Sequence, residues 1–275
     1  SSTCATAIGA GDASNGAQAQ GSGAMALGGS DATAKNSFAA AIANNSSSYG
    51  ATATNSIAIG ERNKATGNYS VSIGRLNEVS GPNGAVGLGQ SNTVSGEGAF
   101  AAGQTNIASG AYTQALGGTA NTANIHGKLA KASGNFSNYA DAQLGMFVLR
   151  SDTTDATAEA LTTNNSTAAA TNQVVLPNNS VYGFTGTVIA RENSAQTNDF
   201  AVWEIKGGAV RAASAATTAL GSYNINKISE STGAANWSIA LSADTTNGAV
   251  AITVTGEASH SIRWVATVNT TEVTY

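Results

Sequence analysis

Charge is scarce in this chain. Of 275 residues 12 are basic and 16 acidic, 10% in all, where an ordinary soluble domain carries about 25%. The net charge of −4 leaves no basic footprint for a phosphate backbone, so nucleic acid is excluded as a partner. Cysteine is nearly absent: Cys4 stands alone, which excludes an internal disulfide framework and a thiolate zinc site. The two histidines, His126 and His260, have no Asp, Glu or Cys at ligand spacing, and no Gly-x-Ser-x-Gly elbow is present. No metal, no cofactor and no catalytic residue is expected, and the chain is read as not being an enzyme. No apolar run approaches the ~20 residues of a membrane span, and no basic-then-apolar leader opens the chain, so membrane insertion is not expected. The sequence starts at Ser1 with its pattern already running at Ala7, as expected of a piece of something longer.

Glycine is abundant but uneven: 24 of 32 lie in residues 1–145. The excess belongs to a short repeat. Its cores include Thr6-Ala7-Ile8-Gly9, Met25-Ala26-Leu27-Gly28, Ile57-Ala58-Ile59-Gly60, Val71-Ser72-Ile73-Gly74, Val86-Gly87-Leu88-Gly89, Phe100-Ala101-Ala102-Gly103 and Gln114-Ala115-Leu116-Gly117. The regular step is about fourteen residues. Three residues after the core glycine stands an asparagine (Asn63, Asn77, Asn92, Asn106), with Asp12 and Asp31 in the same place earlier. Seven after it comes another glycine, at Gly67, Gly81, Gly96 and Gly110. Such a unit suits two short strands and two turns of positive φ. One coil buries too little to offset its ordering entropy, whereas stacked copies pair each strand with its equivalent and join small side chains into one core. The expectation is a parallel β-solenoid with an asparagine ladder capping its turns. Neutral Ala, Ser and Thr faces further predict a homo-oligomer of several rolls.

Asn55-Ser56-Ile57-Ala58-Ile59-Gly60, followed by Asn63 and Ala65-Thr66-Gly67 and repeated as Tyr69-Ser70-Val71-Ser72-Ile73-Gly74, resembles the head repeat of trimeric autotransporter adhesins, the YadA-like head. The resemblance implies a left-handed parallel β-roll packed as a homotrimer. It covers residues 5–117, with a degenerate copy expected at 135–140. Some heads of that family bind matrix proteins through these repeats, but most copies here diverge from that motif. Apolar spacing of 3.5 is absent after residue 118, and no amphipathic four-strand anchor pattern closes the sequence.

The organisation expected is a shaft at 1–117, a neck at 118–145 and a compact all-β tip at 146–275. All three tryptophans, Trp203, Trp237 and Trp264, lie in the tip. Alternating segments at 146–150, 173–176, 181–191, 200–205, 209–213, 223–229, 237–242, 249–255, 262–269 and 272–275, separated by polar turns, predict an antiparallel β-sandwich or jelly roll. A short helix is expected at 155–161 and a hairpin turn at 245–248. The stretches Gln173-Val174-Val175-Leu176-Pro177 and Arg263-Trp264-Val265-Ala266-Thr267-Val268 resemble C-terminal modules of bacteriophage tail fibres. That resemblance implies a virion fibre, attached through upstream tail proteins, whose tip meets a host cell-surface glycan or outer-membrane protein. A bacterial surface adhesin and a tailspike depolymerase are the alternatives. Contact residues are expected at Tyr182, Asn193, Gln196, Asn198 and Tyr223 and in loops 193–198 and 213–222, since loops on a rigid scaffold carry recognition. Asp152, Asp155 and Glu159 read as solvated charge or a helix cap.

Overall fold

A computed structural model describes residues 4–9, 16–40, 48–192 and 198–275. Among these the chain is all-β, apart from two single 3₁₀ turns at Ala215–Thr217 and Thr232–Ala234. It divides into two compact units, one formed by Ser1–Asn124 with Ala130–Gly134, the other by Ile125–Leu129 with Asn135–Tyr275.

The first unit is a β-solenoid of about eight coils. Each regular coil contributes a longer strand, such as Ile57–Glu61, Val71–Arg75, Val86–Gln90 or Phe100–Gln104, and a two-residue strand such as Lys64–Ala65 or Glu78–Val79. Both kinds stack in parallel and in register, so Ile57, Val71, Val86, Phe100 and Gln114 are successive partners. Coil-to-coil bonds carry the stack, with the Ile57 N–H on the Ser70 carbonyl at 2.9 Å and the Lys64 N–H on the Asn77 carbonyl at 2.8 Å. The core is alanine: Ala58, Ala65, Ala101, Ala108 and Ala115 are buried, with Val79 and Val94. Because successive strand side chains alternate between faces, the larger flanking residues Ile57, Ile59, Val71, Ile73, Val86 and Leu88 face outward and stay half-exposed.

The asparagine ladder is observed. Asn63, Asn77, Asn92, Asn106 and Asn121 are buried. The Asn77 Oδ1 accepts from the Asn92 N–H at 3.0 Å and from its Nδ2 at 2.9 Å. Asn92 Nδ2 also donates to the Leu88 and Gly103 carbonyls. Asn121 escapes the sequence pattern because Gly118 inserts one extra residue before it. The glycine rule needs correction. Gly60, Gly74, Gly89 and Gly103 have positive φ, but Gly67, Gly81 and Gly96 do not; there a Cβ would run into the carbonyl of the next coil's glycine. In those turns the left-handed position falls instead on Tyr69, Asn83 and Gly98, and in the turns after the core glycine also on Arg62, Leu76, Ser91 and Thr105.

The second unit has a five-stranded antiparallel sheet in the order Ala142–Thr153, Ile262–Thr274, Ser180–Glu192, Phe200–Arg211, Ala219–Glu230. A smaller sheet pairs Ser238–Asp244 and Ala249–Thr255, with Ala158–Ala160 and Val174–Val175 on the other edge of Ala249–Thr255. Both sheets feed one core, in which Trp203 stacks on Trp264 at 5.6 Å and Trp237 lies 6.0 Å from Trp264. The expected breaks at 206–208 and 270–271 are absent: Gly207 and Gly208 pair regularly with Phe184 and Gly183 inside one strand, the extra residue of the bulge lying at Gly221–Ser222 in the neighbouring strand, and Thr270 and Thr271 pair across a continuous one. The helix expected at 155–161 is a strand, Ala158–Ala160, drawn into pairing with Thr253, Val254 and Thr255. Asp155 accepts from the Thr157 N–H at 2.7 Å, an Asx turn rather than a helix cap. The turn at 245–248 forms as expected, held by the Asp244 carboxylate and by Gly248 at φ 73°. The segment 135–140 contains no strand; the Asp141 carboxylate accepts from the N–H groups of Phe136, Ser137 and Asn138.

Candidate functional site

Strict alternation gives the five-stranded sheet one face in the core and one in water. In Ser180–Glu192 the even-numbered residues through Tyr182, Val188 and Ala190 face inward. Tyr182, expected as a surface contact, is therefore corrected to a core residue, 2% exposed. Its phenol lies in a buried ionic cluster. Glu272 Oε2 accepts from Lys128 Nζ at 2.8 Å and from Gln143 Nε2 at 2.7 Å, and Glu272 Oε1 accepts from Thr270 Oγ1 at 2.6 Å. Burial, and then the neighbouring Glu272 charge and hydrogen bond, push the Tyr182 hydroxyl well above its ordinary pKa, so it stays neutral. Lys128 also lies over the Phe147 and Tyr182 rings. Nothing in the sequence signals this cluster, whose ion pair joins residues 144 positions apart.

The other expected contacts separate. Asn193 and Gln196 lie outside the described residues. Asn198 is exposed and accepts from Arg191 Nη2 at 3.1 Å. Of the 213–222 loop, Ala215–Thr217 is a 3₁₀ turn and the rest from Ala219 is strand. Tyr223 is 49% exposed and stands at an open hollow of about 940 Å³ on the exposed face of the five-stranded sheet. Leu144 and Met146 line it from one edge strand and Lys206, Asn224 and Asn269 give it polar groups, whereas the Tyr223 Cβ lies beside Gly207 and the buried Phe184 ring, on the core side of the sheet. Its floor is low because Gly183 pairs with Gly208 across the strands, and a Cβ on Gly183 would meet nothing within 4 Å. A second, polar hollow of about 420 Å³ shares Thr185, Lys206, Asn224 and Asn269 with it and extends to Glu204 and Asn226.

A third hollow, about 540 Å³, is lined by Asp152, Glu159 and the hydroxyls of the 162–167 segment. Glu159 accepts from Ser151 Oγ at 2.9 Å, and Asp152 pairs with Arg263 Nε at 3.2 Å. His260 is paired through space, its Nδ1 at 3.1 Å from the Glu192 carboxylate. Among the described residues no group of three or more His, Cys, Asp or Glu could hold a metal ion. No helix among them is long and apolar enough to cross a membrane.

The YadA head domain repeat model matches residues 51–76 in two copies. No curated protein matches. Among solved structures the chain is similar to the tailspike protein gp49 of Acinetobacter baumannii bacteriophage Fri1, a capsular polysaccharide depolymerase. That match has 9% identity and a TM-score of 0.32 and covers 90% of this chain and 40% of that one. It is also similar to the tailspike protein of Acinetobacter phage vB_ApiP_P1, with 13% identity and a TM-score of 0.21, covering 92% of this chain and 51% of that one. The chain thus spans about half or less of these proteins, and at such identities no residue role passes between them. The expectation of a chain that is not an enzyme is corrected, because a neighbour it matches over 90% of its length is a depolymerase.

Proposed function

We propose that this chain is a segment of a bacteriophage tail fibre or tailspike, displayed on the virion. The solenoid is its shaft, and the second unit is a sandwich tip that recognises a host cell-surface component. The observation that carries the reading is the uncovered apolar face of the shaft. Ile57, Val71 and Val86 form one outward row and Ile59, Ile73 and Leu88 another, in register along the stack. A single chain leaves both half-exposed, and a rod with few charges gains by covering them with copies of itself. Three copies, as the resemblance to YadA-like heads implies, would also give the tip three sites and raise avidity. Light scattering should give a mass three times 27.1 kDa, and the purified chain should compete with virions for host cells. A monomer mass overturns the assembly, and failure to compete overturns the attachment role. Cell binding by the head repeats alone would favour the bacterial adhesin instead.

Cleavage of surface polysaccharide is the second reading, favoured by the two carboxylates, Asp152 and Glu159, that line one hollow. Glycoside hydrolysis uses such a pair. Release of reducing ends from host polysaccharide, lost in Glu159→Gln, is the expected outcome if the reading holds.

A further inference from the structure

The middle of the exposed sheet face is built differently from its ends. Side chains directly opposite one another across an antiparallel pair lie about 5 Å apart, and strands about 4.8 Å apart. One such row crosses four strands as Asn269, Thr185, Lys206 and Asn224. The next, two residues along, reads Thr267, Thr187, Glu204 and Asn226. Amides and hydroxyls thus form a two-row grid around one lysine and one glutamate. Among the described residues none of these eight side chains has a hydrogen bond or ion pair, although an amide offers two donors and two acceptor sites and a hydroxyl offers both. Apolar residues of the same face border the grid, with Val181, Val210 and Val273 on one side, Ile189 and Val265 on the other, and Met146 and Val148 beside Asn269 and Thr267 on the edge strand. At one end the grid runs into the hollow over Gly183, whose lining includes Thr185, Lys206, Asn224 and Asn269.

We infer that this grid binds an extended oligosaccharide lying across the strands, with successive sugar units over successive strands. The inference rests on the tip being a recognition module and names the ligand class and the face. A polyhydroxylated chain matches regularly spaced, unengaged donors and acceptors. A peptide would instead use a strand edge or an apolar groove. The charge of the grid is balanced by Lys206 and Glu204, so affinity comes from hydrogen bonds and falls little with added salt.

The test uses the full chain and a panel of bacterial capsular and lipopolysaccharide oligosaccharides, with affinity measured by calorimetry and mass by light scattering. Gly183→Leu is the informative variant, because the site for its side chain is open and its backbone is not left-handed, so the fold is retained while the hollow is filled. Gly183→Leu should abolish binding, and Asn269→Ala should weaken it about tenfold, both at unchanged mass and melting temperature. Three results overturn the inference: no oligosaccharide bound by the wild type, binding unaffected by Gly183→Leu, or a Gly183→Leu chain of lower oligomeric mass, which makes this face an interface between copies. If host cells are bound as well by Gly183→Leu as by wild type, the site is elsewhere and the attachment reading stands. If wild type binds no host cells, the attachment reading itself falls.

Discussion

At the scale of single residues, the repeat is held by groups whose partners lie one coil away. Asn92 donates to Asn77 Oδ1, Leu88 O and Gly103 O, and its own Oδ1 accepts the Asn106 N–H at 2.9 Å. Asn92→Ala orphans several buried polar groups, each costing about 1–3 kcal/mol, and a thermal melt should show a drop of several degrees. Asn92→Asp should be no better, since a carboxylate accepts but cannot donate to the two carbonyls. Gly74 combines φ 121° with a Cβ path blocked by the Gly89 carbonyl, so Gly74→Ala should destabilise the roll strongly. Gly134, whose Cβ would meet nothing, is the control: Gly134→Ala should be neutral or slightly stabilising in the same melts. The sequence exposes these positions because they recur every fourteen residues. It does not distinguish the glycines needed for φ from those needed for close approach, because both leave the same letter.

Among elements, the strongest device is the Lys128–Glu272 pair, which joins a five-residue stretch of the second unit to its last strand. Both side chains are almost wholly buried, so removing one partner leaves a charge without compensation. Lys128→Met should cost about 3–5 kcal/mol in urea unfolding, and Lys128→Met with Glu272→Met together should recover most of it. Asp141 organises the entry to the strand Ala142–Thr153 in another way. Burial raises its carboxyl pKa, and the N–H groups of Asn138, Ser137 and Phe136 more than offset this, leaving it below its ordinary value. A carboxyl depressed on folding stabilises above its unfolded pKa near 3.9, and that contribution is lost as pH falls through the folded value. The stability gap between wild type and Asp141→Ala should therefore be full at pH 7 and shrink in strongly acidic buffer. A gap that persists at low pH would assign the loss to packing. Strand 249–255 is legible residue for residue from its pattern, whereas 155–161 misleads, because its local preference loses to pairing with Thr253, Val254 and Thr255.

For the whole molecule, the consequential feature is which way the repeat's large side chains point. In coils such as Ile57-Ala58-Ile59, Val71-Ser72-Ile73 and Val86-Gly87-Leu88 the central small residue goes in and its two larger neighbours go out, leaving rows that only another surface can cover. Ile73→Glu, at the most exposed of these positions, places a charge in that cover and should lower the mass measured by light scattering without unfolding the coil. An unchanged mass would show that this face stays in water. The sequence by itself determined the solenoid, its fourteen-residue step and its asparagine ladder, because a repeat forces every copy into one local solution and the stack follows from that solution. Alternation in strands is local too, and it puts Trp203 and Trp264 on the core face. Only the tertiary structure decided that Tyr182 is buried and that Lys128 meets Glu272. The polar grid around Lys206 likewise comes from strand order and register, which join residues far apart in sequence through contacts that no spacing encodes.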